Sequence, residues 1–86
     1  MTSDPHGYLR LHRSLEFIAL ELEHLGSQQA AASVQAADAY FGGSPTEFLG
    51  EAAIALEPLR ASQELPPSLR TFIGSLVDEI RNGLDQ

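Results

Sequence analysis

Apolar side chains recur over residues 8–25 at steps of three, four, three, four and three: Tyr8, Leu11, Leu15, Ile18, Leu22 and Leu25. That spacing puts them all on one face of an α-helix. At about 1.5 Å per residue the stripe runs roughly 26 Å, the height of a small domain. Any fold of this chain must cover it.

Start and stop signals divide the rest into three further helices. Ser3 or Asp4 stands as N-cap ahead of Pro5, whose missing N–H costs nothing at the first helical position. Gly7 weakens that first turn, so the helix is firm from Tyr8, and Gly26 closes it. Ser27 caps the next helix at once, which forces helices one and two to be neighbours, antiparallel or sharply angled. Helix two carries Ala30, Ala31, Ala32, Ala36, Ala37 and Ala39, with Val34, Tyr40 and Phe41 as its large apolar residues. Alanine favours helix and adds little bulk, so another backbone can lie close against it.

Gly42-Gly43-Ser44-Pro45-Thr46-Glu47 is the clearest local signal. Two glycines end one helix, Ser44 caps the next, Pro45 takes its first position, and Ser44 with Glu47 has capping-box spacing. Phe48, Leu49, Ala52, Ala53 and Leu56 carry helix three until Pro58, which removes the bond to the Ile54 carbonyl and predicts a kink or stop near Glu57. Pro66-Pro67 opens helix four, whose wide stripe is Leu69, Phe72, Ile73, Leu76, Val77, Ile80 and Leu84, and Asn82-Gly83 ends it. Neither strand alternation nor a repeat is visible. The pattern predicts a single all-α domain over residues 1–86, a compact four-helix bundle with helices about 5–25, 28–41, 45–57 (extending to 60) and 67–82. Leu15, Ile18, Leu22, Phe48, Leu56, Phe72, Leu76 and Ile80 are its expected core.

Charge narrows the partners. Five Arg, no Lys and twelve Asp plus Glu leave a net charge of −7. Such a surface repels phosphate backbones and anionic headgroups, so neither nucleic acid nor membrane is expected, and a basic protein partner is favoured. Cysteine is absent, which removes disulfides, thiolate ligands and thiol nucleophiles. Asp4, His6, Arg10, His12 and Arg13 interrupt any leader-like apolar run, and no segment is long enough to span a bilayer. Residence in the cytoplasm of a bacterial-type cell is the expectation.

Candidate chemistry is thin. Glu21 and His24 form one Glu-x-x-His element, which di-iron bundles use in duplicate, and His12 and Glu16 stand at i, i+4. These residues define the alternative reading, a metal- or ligand-binding bundle using His12, Glu16, Glu21 and His24. No serine sits in a nucleophile motif, and the Gly42-Gly43 pair lacks the lysine of a phosphate loop. A DNA-reading helix-turn-helix fails on charge, since the helix from Pro45 brings Glu47 and Glu51 and no Arg before Arg60.

One feature exceeds a plain bundle. Leu9, Phe17 and Leu20 lie off the main stripe of helix one, with Arg13 and His24 beside them. A helix that is apolar on two sides is either central or covered by another chain, and a four-helix domain this small has no central helix. Leu9, Arg13, Phe17, Leu20 and His24 are therefore the expected partner interface. The expected function is a small acidic, non-enzymatic interaction protein without a cofactor, a homodimeric adaptor or an inhibitor of a basic partner.

Overall fold

The helix with the six-membered stripe is α1, Tyr8–His24. In the computed structural model, which describes residues 7–83, it is followed by α2 (Gln28–Asp38), α3 (Pro45–Leu56), a 3-10 segment (Glu57–Ala61) and α4 (Pro67–Arg81). There is no strand among the described residues. The result is the expected all-α four-helix bundle. The expected cap at Ser3 or Asp4 with Pro5, and Leu84 at the end of the α4 stripe, lie outside the described residues.

Local chemistry explains each boundary. Gly7 takes a left-handed φ of 74° immediately before α1, a conformation that ends helical backbone on its N-terminal side. At the other end, Gly26 (φ 82°) donates to the Glu23 carbonyl at 3.0 Å and Ser27 to the Leu22 carbonyl at 2.8 Å. Those two bonds are a Schellman ending, satisfying carbonyls that α1 would otherwise leave open. Ser27 thus serves α1 with its N–H, and its hydroxyl makes no capping bond to α2, contrary to the sequence expectation. Its carbonyl still accepts from Ala31, so one residue ends one helix and begins the next. Ser44 caps α3 by accepting from the Glu47 N–H at 3.4 Å, so the capping box is formed in one direction only among the described residues. Pro58 has the foreseen effect. The α-helix stops at Leu56 and tightens to 3-10 geometry, which dispenses with the four-residue bond a proline lacks.

The core gathers on α1. Leu11, Leu15, Ile18 and Leu22 are wholly buried against Val34 of α2, Phe48, Ala52 and Leu56 of α3, and Ile73, Leu76, Val77 and Ile80 of α4. Leu65, in the last connection, closes one end. Helix spacing follows side-chain size. Ala31 is buried in α2, and α1 lies far closer to α2 than to α4, where leucine, isoleucine and phenylalanine hold the backbones apart. The Cα radius of gyration is 12.3 Å, near the ~12 Å of a compact chain this long.

Three further expectations are corrected. Phe72 is 39% exposed instead of buried, because Leu69, Ile73, Leu76, Val77 and Ile80 already fill the covered arc of α4 and Phe72 falls at its rim. Leu25, the last member of the α1 stripe, is 45% exposed, since the chain turns away at Gly26 and nothing packs beyond it. Helix two ends at Asp38, three residues before Phe41. There the bonding tightens, Tyr40 and Phe41 donating to Ala37 and Asp38, and Phe41 swings back onto α1.

Candidate functional site

Two surfaces of α1 carry the polar and apolar features left over from the core. One looks towards α4 and solvent, the other towards α2.

On the first, Phe17 is 49% exposed and Arg13 and His24 are exposed; Leu20, 56% exposed, lies between the two surfaces and lines a groove with Glu16, Gln35 and Asp38, and Leu9 is half-buried. All five residues expected at an interface thus lie on α1 with at least part of their surface in water. A further exposed aromatic from another helix lies beside Phe17. Phe72 of α4 meets Phe17 edge to face, with ring centroids 5.7 Å apart and planes at 89°. Two turns away, Arg10 bonds both carboxylate oxygens of Glu79, at 3.3 and 2.6 Å. Moving seven residues on in α1 and seven back in α4 leads from one pair to the other, so the helices run antiparallel and the aromatic pair is locked in register. Phe72 was hidden within the wide α4 stripe. Its place at the edge of that stripe, one position short of Ile73, was the only sign that it would lie at the rim.

On the second surface, His12 is held from three directions. Its Nδ1 lies 2.8 Å from Asp38 Oδ1 of α2, its Nε2 lies 3.6 Å from Glu16 Oε1 one turn on, and Phe41 stacks on the ring at 4.2 Å with planes 2° apart. Phe41 in turn leans on buried Phe48 of α3, 5.6 Å away. The histidine ring is therefore tied to three helices. His12 and Glu16 do come together as their spacing implied. Glu21 and His24 do not join them; Asp38 does, and these three are the group among the described residues whose ligand atoms fall within 4.8 Å of one another. No local signal pointed to Asp38, because it reaches His12 across a helix–helix contact.

Elsewhere the surface is occupied by ion pairs. Arg60 contacts Glu57 and Asp78, at 3.6 and 3.3 Å, and Arg81 pairs with Glu57, tying the 3-10 segment to α4. Exposed pairs of this kind contribute little individually. No polar or charged side chain among the described residues is buried. No helix among them is long and apolar enough to cross a membrane. Comparison with protein-family models, curated proteins and solved structures finds no match to this chain.

Proposed function

We propose that the protein is a non-enzymatic interaction module that self-associates through the α1 face around Phe17. The observation that carries this reading is the Phe17–Phe72 pair across two helices, 49% and 39% exposed, with Leu20, 56% exposed, one turn along α1 from Phe17. Each such side chain gains roughly 1.5–3 kcal/mol on full burial, and a pre-paired aromatic anchor loses little conformational entropy when it docks.

The occupant that best fits is a second copy. A two-fold axis through Phe17 places residues four positions before and four positions after it opposite each other. Those are Arg13 and Glu21, so each copy offers its cation to the other's carboxylate. Neither residue has an ion-pair partner within its own chain among the described residues. An isologous contact of this kind is self-complementary and closes on itself. With a net charge of −7, the outer surface of such a dimer suits adaptor or inhibitor roles towards a basic protein.

Sedimentation equilibrium tests the proposal. The parent chain is expected to dimerise reversibly, and Phe17→Glu with Leu20→Glu to be monomeric with an unchanged circular dichroism spectrum. Arg13→Glu should weaken the dimer, and adding Glu21→Arg should restore it. A parent that stays monomeric at high concentration overturns self-association, and failure of the charge swap to rescue overturns the antiparallel α1 pairing.

A further inference from the structure

We propose that His12 Nε2 and Glu16 Oε1 are the protein's two ligands to a divalent transition-metal ion of the zinc class, with Asp38 positioning the histidine. An ionised carboxylate only accepts, so the 2.8 Å contact to Asp38 Oδ1 places the imidazole proton on Nδ1. In the neutral ring, Nε2 then carries the free lone pair. Glu16 Oε1 lies 3.6 Å from that nitrogen, a gap that a second ring proton or a cation held between the two can bridge.

The distance fits that cation. Zinc binds imidazole nitrogen and carboxylate oxygen at about 2.0–2.2 Å, so two such ligands at a near-tetrahedral angle stand roughly 3.4 Å apart. The observed 3.6 Å therefore admits an ion with hardly any movement of α1. The ring is also prevented from turning away. Asp38 holds one edge, and Phe41, parallel at 4.2 Å, covers one face and leaves the in-plane lone pair clear. A carboxylate behind a ligating histidine is the usual outer partner of such sites, fixing the tautomer and raising ligand basicity.

Exposure is graded in the sense that entry requires. The Asp38 side chain is 16% exposed, His12 25% and Glu16 57%, so the site opens to solvent at Glu16 and water completes the coordination. Imidazole as ligand selects zinc, nickel or copper over magnesium and calcium. The acidic surface raises the local concentration of any dication.

The test is calorimetric titration of zinc chloride into the full chain carrying His6→Gln and His24→Gln, which leaves His12 as the remaining histidine. One ion per chain is expected, with an upward shift in thermal midpoint from mass action. His12→Gln and Glu16→Gln should each abolish saturable binding, and Asp38→Asn should weaken it about 10–100-fold, as for other outer-shell partners. Should His12→Gln disturb folding by circular dichroism, Glu16→Gln, at an exposed position, gives the same reading. Retained affinity in both variants, no saturable binding at millimolar zinc, or one ion per two chains would each overturn the assignment.

Discussion

Phe17 of α1 and Phe72 of α4 stand edge to face, 5.7 Å between centroids, with close to half of each ring's residue still in water. The contact joins α1 directly to α4 at the rim of the bundle. Edge-to-face aromatic pairs contribute about 0.5–1.5 kcal/mol beyond area burial. Phe72→Ala is accordingly predicted to lower the monomer's stability by about 1–2 kcal/mol. Phe48, 2% exposed, should lose about 3–5 kcal/mol on the same change. Urea unfolding at low concentration gives both values, and equal losses would place Phe72 in the core.

The α1–α2 interface should resist change in both directions. Leu22 is fully buried, and Leu22→Ala is expected to cost about 2–5 kcal/mol through the cavity it leaves. Ala31, 2% exposed, faces the same seam, and Ala31→Leu is expected to cost about 1–3 kcal/mol by prising the helices apart. If chemical denaturation shows Ala31→Leu to be neutral, the close approach of α2 does not depend on its alanines.

The two ends of α3 make opposite predictions. Ser44→Ala removes an amide's acceptor, and at 3.4 Å that bond is long, so the loss should fall near the lower end of about 0.5–2 kcal/mol. Pro58→Ala should cost less, because the helix has already changed to 3-10 geometry there, and restored bonding can extend the α-helix. A gain in ellipticity at 222 nm reports that extension, and a loss of ellipticity would refute it.

Two glycines should answer the same substitution with opposite signs. Gly26 has φ 82° with open space around an added Cβ, so Gly26→Ala suffers from backbone strain alone, about 1–2 kcal/mol. Gly50 lies inside α3, also with open space, and Gly50→Ala should stabilise by about 0.4–1 kcal/mol through the unfolded chain. Thermal melts of the two variants should move to either side of the parent's midpoint.

The helix ends were legible because the forces that set them act over a few residues. A left-handed position demands glycine, as at Gly26; a proline breaks α bonding, as at Pro58; a hydroxyl before Pro45 finds an amide three residues on. The buried faces of α1 and α3 were equally legible, since a stripe at helical spacing needs one cover and receives it. The end of α2 was not. Gly42-Gly43 marks a stop, but no signal within Ala39, Tyr40 and Phe41 moves it back to Asp38, and the early departure brings Phe41 onto His12, far earlier in the chain.

By itself, the sequence determined the number of helices, their joints and the side of α1 that must be dry, because backbone bonding and helical periodicity are local properties. Only the tertiary structure decided that Phe72 stays at the rim beside Phe17 and that Asp38, not Glu21 or His24, completes the group at His12 and Glu16. Burial at the edge of a wide stripe depends on how far the covering helices reach. A contact between α1 and α2 depends on their crossing, and no spacing within either helix encodes that.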